Sequence, residues 1–392
     1  MEEPKIEYLQ CVSCKKQYSP EVVRYTCPDC GSLHGTLDVV YNFKYVKKNL
    51  TKEHLHRSTE YSHWRYLPLL PVYSKKFIQP LKVGWSPLYR HEHLNDMLDL
   101  PKLYLKDDSG NVTSSYKDRA SSVAVVKALE GEYEGIGAAS SGNAGASIAA
   151  FAASAGIPCH IFVPETIPKP KLAQLKAYGS QTVLVKGTYD QAFDRCMKEC
   201  EKNFWYNRNT AINPYLAEGK KTAALEICEQ LKWDVPDLLF VPVGDGCILS
   251  GIWKGFMDLN ELGFIDHFPQ MIGVQAEGSA PLVEAYQKNL QEACHKHVST
   301  IADSICVGYP RDQVKALRAV HQSGGIFMSV NDEAIKGAIR FLAENSGIFV
   351  EPAAAAAFAG MRQMLDEDKI NDAQIIVVIL TGNGLKDIRP IL

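Results

Sequence analysis

From Leu88 onward the chain alternates short β-branched runs with stretches of helical period, and this rhythm restricts the fold more than any other feature of its 392 residues. The pattern predicts strands over Leu103–Lys106, Ile136–Ala139, His160–Val163, Thr182–Val185, Leu238–Val243, Met271–Gln275 and Gln374–Leu380. Helices fit between them, over Arg119–Leu129, Ala144–Ala155, Pro170–Tyr178, Tyr189–Lys202, Gly219–Leu231, Asp332–Glu344 and Ala353–Leu365. Such repetition gives parallel sheets with helices on both faces, an α/β architecture of doubly wound type. A ligand is then expected at the carboxyl ends of the strands. No repeat of fixed period and no low-complexity linker interrupts the pattern.

Composition excludes other classes. Apolar residues make up 46% and charged residues 22%, an ordinary globular balance. The net charge of −3 gives no reason to expect nucleic acid or an anionic membrane as partner. The chain opens Met1-Glu-Glu-Pro-Lys5, without a basic region or an apolar core of a secretion signal. The stretch nearest to a membrane span, Gly145–Val163, is interrupted by Ser154, Gly156, Pro158 and His160 and reads as a buried helix running into a strand. A cytoplasmic protein acting on a small molecule is expected.

Four of the 11 cysteines stand apart. Cys11-Val-Ser-Cys14 and Cys27-Pro-Asp-Cys30 are two Cys-x-x-Cys knuckles, which allow four thiolates to converge on one soft-ligand metal. Structural zinc at Cys11, Cys14, Cys27 and Cys30 is the expectation. Cys247 falls in a glycine-rich turn, and the six scattered cysteines Cys159, Cys196, Cys200, Cys228, Cys294 and Cys306 read as reduced, buried thiols. Residues 41–87 are polar and aromatic, with histidines at no ligand spacing, and read as a wrap-around segment without chemistry.

Three glycine-rich turns and one lysine carry the chemistry. Asn111-Val-Thr-Ser114-Ser-Tyr-Lys117-Asp-Arg119 opens a helix, where the macrodipole disfavours a protonated lysine and so favours a nucleophilic amine. Ser140-Ser141-Gly-Asn143-Ala-Gly145 links a strand to a very apolar helix and suits an anion. Val243-Gly244-Asp245-Gly246-Cys247-Ile248 repeats that design and suits a phosphate, although it matches neither the dinucleotide fingerprint nor a Walker loop. Thr381-Gly-Asn-Gly384 follows a buried strand in the same way.

These segments in this order, with Asn213-Pro-Tyr, Glu218-Gly-Lys-Lys-Thr222, Gln275-Ala-Glu-Gly-Ser-Ala-Pro281 and Glu351-Pro-Ala353, resemble the fold-type II pyridoxal-phosphate enzymes, and among them the threonine synthases. The likeness runs from about Trp85 to the C-terminus, and many threonine synthases also carry a cysteine ribbon. The resemblance implies two doubly wound three-layer α/β domains behind an N-terminal zinc-ribbon-like segment. Residues 1–40 would form the ribbon, 41–118 with 220–392 the large cofactor domain, and 119–219 the small domain. It implies pyridoxal 5′-phosphate on Lys117 as Schiff-base lysine and general base, with Asn143 at the phenolic oxygen. Gly244, Asp245, Gly246, Cys247 and Ile248 would hold the phosphate, and Thr381 would face the ring nitrogen. Ser140 and Ser141 would grip the substrate, with Ser114 and Arg119 at its phosphate end. The implied reaction converts O-phospho-L-homoserine and water into L-threonine and phosphate, in a homodimer. A serine/threonine dehydratase, or a β-replacement enzyme such as a cysteate synthase, is the alternative within the family.

The chain departs from the resembled run Asn-Pro-Thr-Gly-Ser-Phe-Lys-Asp-Arg at Val112, Ser114 and Tyr116. A carboxylate at Asp245, inside a phosphate loop, has to point away from the anion or meet a cation.

Overall fold

The computed structural model describes residues 4–391. Contacts divide the chain into two units, residues 1–84 with 111–220 and residues 85–110 with 221–392. The chain thus leaves the second unit after one parallel strand and re-enters it at Lys221. This division places residues 41–84 and 111–118 with the ribbon and the small sheet, whereas the sequence reading grouped them with the large domain.

The first unit opens with a three-stranded antiparallel sheet in which Ile6–Cys11 lies between Gln17–Tyr18 and Leu37–Tyr41. The segment read as a wrap is ordered into the helices Phe43–Asn49 and Lys52–Arg57, capped by Asn42 and Thr51, and short 3-10 turns. A four-stranded parallel sheet follows, in the order Gln181–Val185, Cys159–Pro164, Gly135–Ala139, Trp205–Asn207. Both its faces are buried. Ile136, Ala138, Ile161 and Val163 join one apolar cluster with Ile148 and Phe151, while Ala139 and Phe162 join another with Phe193, Cys196 and Cys200. Alternate residues of a strand face opposite sides, so helices cover each one. The alanine-rich helix Asn143–Ala155 runs against Lys117–Glu130 and stops at Gly156 in the left-handed region.

The second unit holds a six-stranded sheet in the order Ile326–Val330, Gln270–Ala276, Leu238–Pro242, Ile376–Leu380, Leu103–Asp107, Leu88–Tyr89; only the last strand is antiparallel. Successive residues again separate two helical layers. Gly273 abuts Leu249 of the helix Cys247–Leu262, and Val274 abuts Gly360 of the helix Pro352–Asp366.

All seven predicted strands are present, with ends shifted by at most two residues. Ile326–Val330, Trp205–Asn207 and the helix Gln313–Ser323 were not anticipated. The predicted helix Gly219–Leu231 is two helices, Tyr215–Lys220 and Thr222–Gln230, broken at the boundary between the units. Cys294 is exposed and Cys306 half-buried, so of the six scattered cysteines only Cys159, Cys196, Cys200 and Cys228 are buried thiols. Among the described residues, no helix is long and apolar enough to cross a membrane.

Candidate active site

In the first unit, Lys117 is the first residue of the helix Lys117–Glu130, and the loop before it is fixed by its own hydrogen bonds. Ser114 donates its N–H to the carbonyl of Asn111 at 2.7 Å and takes φ +60°. That left-handed conformation explains the glycine in the resembled run, and the chain holds it with a serine. The buried Asp118 carboxylate accepts from the N–H and hydroxyl of Thr113 at 2.6 and 2.5 Å, folding the loop onto the first helical turn. Tyr116 is buried, and its hydroxyl donates to the carbonyl of Lys220 at 2.6 Å, a bond a phenylalanine could not make. Arg119 has no exposed surface, and its guanidinium lies 5.3 Å from the Tyr116 ring centroid.

The second turn of this unit emerges from the carboxyl end of Gly135–Ala139. The next strand in sequence lies on one side of that strand, and Trp205–Asn207 lies on the other. Sheet order reverses there, and such a switch point leaves a crevice for a ligand. Ser140, Ser141 and Asn143 are half-buried at this point, with Asn143 beginning the helix. Gly145 is demanded by a close approach, since a Cβ would overlap the carbonyl oxygen of Ser140. The strand end is held by Asn209, whose side-chain oxygen accepts from the N–H of Ala139 at 2.7 Å. Sequence reasoning did not single out Asn209, because nothing in a lone asparagine of the Asn207-Arg-Asn209 run reports a partner 70 residues away.

The second unit repeats this arrangement. Leu238–Pro242 and Ile376–Leu380 are adjacent parallel strands, and sheet order reverses between them. The turn Gly244–Gly246 and Thr381 therefore emerge side by side at a switch point, joined from distant stretches of sequence. Gly246 has φ +94°, and a Cβ there would lie 2.6 Å from that of Ala316. It leads into the helix Cys247–Leu262, so the turn and the first helical N–H groups form a cradle open to an anion. Asp245 turns its carboxylate aside: Oδ1 accepts from the N–H of Arg311 at 3.1 Å, and its carbonyl accepts from Asp312 at 3.0 Å. Asp312 also accepts from the Ser250 hydroxyl at 2.6 Å. Arg311 and Asp312 had no signal in the sequence, since they sit in a loop far from the turn they brace. Thr381 is buried at the end of its strand.

In the ribbon, the ligand atoms of Cys11, Cys14, Cys27 and Cys30 all lie within 4.8 Å of one another, a spacing suited to a tetrahedral ion. Among the described residues no other group of three or more metal-ligating side chains comes together. Burial pushes the Cys27 thiol up, but the Tyr18 hydroxyl 3.0 Å away and the N–H groups of Cys30 and Asp29 outweigh it and bring it down to about 6. Cys30 is pushed up to about 12, chiefly by its hydrogen bond with Cys14 and then by burial. Without a cation the cluster favours a thiolate at Cys27, and a divalent ion would draw protons off the ligating thiols.

The profile of the family described as "Pyridoxal-phosphate dependent enzyme" matches residues 80–382. A threonine synthase of Methanocaldococcus jannaschii is 42% identical over 380 residues, covering 96% of this chain and 92% of the relative. One from Methanosarcina acetivorans is 37% identical over 98% of the chain and 93% of its own length. Among solved structures, maize serine racemase superposes with a TM-score of 0.66 at 23% identity, over 76% of this chain and 88% of that one. The processed threonine deaminase isoform 2 of Solanum lycopersicum gives 0.63 at 24%, over 76% and 83%. At such identities the two structures speak for the fold alone.

Proposed function

The chain belongs to the pyridoxal-phosphate-dependent enzyme family, and from that premise we propose that it is a threonine synthase. Its reaction is the conversion of O-phospho-L-homoserine and water into L-threonine and phosphate, by γ-elimination and β-addition. The observation that carries the substrate is likeness to threonine synthases along almost the whole chain, ribbon included. The observation that supports the cofactor is the turn Gly244–Gly246, with the Asp245 carboxylate turned aside, leading into the helix Cys247–Leu262 beside Thr381 at a switch point.

When bound, pyridoxal phosphate would supply a sink for the electron pair left at the substrate's Cα. The protein supplies the rest. Gly244 to Ile248 receive the phosphate on backbone N–H groups, with the Asp245 carboxylate turned toward Arg311. Thr381 offers the ring nitrogen a hydroxyl in place of a carboxylate, which leaves that nitrogen largely unprotonated and favours elimination and replacement. Asn143, at the start of its helix, would hydrogen-bond the phenolic oxygen of the bound cofactor. Lys117, at the positive end of its helix, is the Schiff-base lysine, and its Nζ as a free amine takes the proton from Cα. Ser140 and Ser141 grip the substrate, and Ser114 and Arg119 serve its phosphate end, Arg119 from a fully buried position. The four cysteines, with ligand atoms all within 4.8 Å of one another, would hold a structural zinc ion. The same reading makes the enzyme a cytoplasmic homodimer.

Two measurements test this. Purified protein is expected to be yellow, to lose that absorbance on borohydride reduction, and to be colourless as Lys117→Ala; a wild type that stays colourless with added pyridoxal phosphate refutes the cofactor. Incubation with O-phosphohomoserine is expected to yield phosphate and threonine in equal amounts. Formation of 2-oxobutanoate from threonine, with phosphohomoserine untouched, would move the chain to the dehydratases.

A further inference from the structure

The first unit contains a cavity of about 560 Å3 that the reaction does not use. Tyr133, on its wall, lies in the turn entering Gly135–Ala139, and Phe204 immediately precedes Trp205–Asn207. The cavity therefore opens at the amino ends of the parallel strands, opposite the ends that carry Ser140–Gly145. It is a separate site and not an extension of the catalytic crevice.

Its walls are aromatic faces. Tyr133 stacks on Phe204 with centroids 4.7 Å apart and planes 13° apart, and Tyr73 and Phe77 contribute from the segment opposite. Phe204 remains 42% exposed and Tyr73 59% exposed, and the Tyr73 ring already carries the ammoniums of Lys5 and Lys127, 5.6 and 5.2 Å from its centroid. Phe204 also takes φ +52°, a left-handed conformation that a bulky residue rarely holds and that concentrates at binding sites.

The charges divide into satisfied and unsatisfied groups. Lys127 is 3.0 Å from the Glu130 carboxylate, which also accepts from the N–H groups of Tyr73 and Ser74 at 2.6 and 2.8 Å. Arg24 and Lys76 differ: among the described residues neither has a carboxylate partner. Each lies over a ring instead, Arg24 5.3 Å from the Phe204 centroid and Lys76 4.5 Å from that of Phe77. Glu21 is the one opposing unpaired charge on the lining, which leaves an excess of positive charge.

We propose that this cavity binds a small anion carrying a flat aromatic or heteroaromatic ring, with the ring taking the place Arg24 holds over Phe204 and the anionic group drawing Arg24 and Lys76 onto itself. A nucleoside phosphate and an aryl carboxylate share that chemistry, and the probes distinguish them.

The test uses full-length protein saturated with pyridoxal phosphate, so that the Gly244–Ile248 cradle is filled. Adenosine monophosphate, adenosine, indole-3-carboxylate and inorganic phosphate are each titrated by calorimetry and saturation-transfer NMR. At least one ring-bearing anion is expected to bind in the submillimolar range, with adenosine and phosphate weaker by about tenfold or more. Arg24→Ala and Phe204→Ala are each expected to weaken the binding by about tenfold while the visible cofactor band stays in place. Arg24 is exposed, so its variant tests the site even if Phe204→Ala fails to fold. The proposal is overturned if neither ring-bearing anion binds at millimolar concentration, if phosphate alone binds equally well, or if Arg24→Ala leaves the affinity unchanged.

Discussion

Single residues at the lysine loop show how the chain meets a family geometry with unfamiliar side chains. Ser114 occupies a left-handed backbone position that glycine takes without penalty. Ser114→Gly is therefore expected to raise stability by about 0.5–1 kcal/mol, read as a higher urea midpoint at unchanged slope. A lower midpoint would mean that the serine hydroxyl makes a contact worth more than the backbone strain. Tyr116 is the opposite case, because its added hydroxyl acquires a buried acceptor, the Lys220 carbonyl. Neither consequence could be read from the sequence, where both residues register only as departures from a resembled run. The place of Lys117 at a helix start was legible in the local pattern, whereas its role rests on the resemblance.

At the scale of elements, turns were more legible than their braces. The buried strands declare themselves by continuous β-branched runs such as Ile376–Leu380. Trp205–Asn207 has three residues, too few to show a period, and Ile326–Val330 follows a glycine pair and is interrupted by Ser329. The three glycine turns could be placed at strand ends, but sheet order alone brings Thr381 beside Gly244–Gly246. Gly246→Ala places a Cβ against Ala316 in a backbone conformation that alanine resists. Affinity for pyridoxal phosphate, followed by fluorescence quenching, is expected to fall by about a hundredfold, and an unchanged affinity would exclude the turn as the cradle. The ribbon gives a pH prediction. The folded metal-free Cys27 lies below an ordinary thiol, so its thiolate supports the fold fully above about 9, and that support is lost as pH falls from there through about 6. Thiolate absorbance of the metal-free protein should show one early step near that value. Tyr18→Phe should move the step upward, and zinc should abolish it.

The whole molecule is organised by an interruption, with residues 111–220 placed between two parts of one sheet unit. Lys106, on a strand before the interruption, and Glu226, on a helix after it, form an ion pair of 2.7 Å with both side chains fully buried. Lys106 also donates to the Ser86 carbonyl and to Gln230. Lys106→Met strands the Glu226 charge and is expected to cost about 3–5 kcal/mol, whereas Lys106→Met with Glu226→Leu should recover most of it. Chemical denaturation of both variants decides this, and equal losses would mean that packing and not charge holds the segments together. Sheet order has a further consequence for a chain made in one direction. Ile376–Leu380 lies between Leu238–Pro242 and Leu103–Asp107, yet a ribosome delivers it after every other strand of that sheet. From the delivery of Gln270–Ala276 until that point the sheet is a pair of separate fragments, each presenting an open apolar edge to solvent, a state that invites chaperone capture. The first unit, whose two stretches are both made once Lys220 is added, can close while the other unit waits for the strand that will join its fragments.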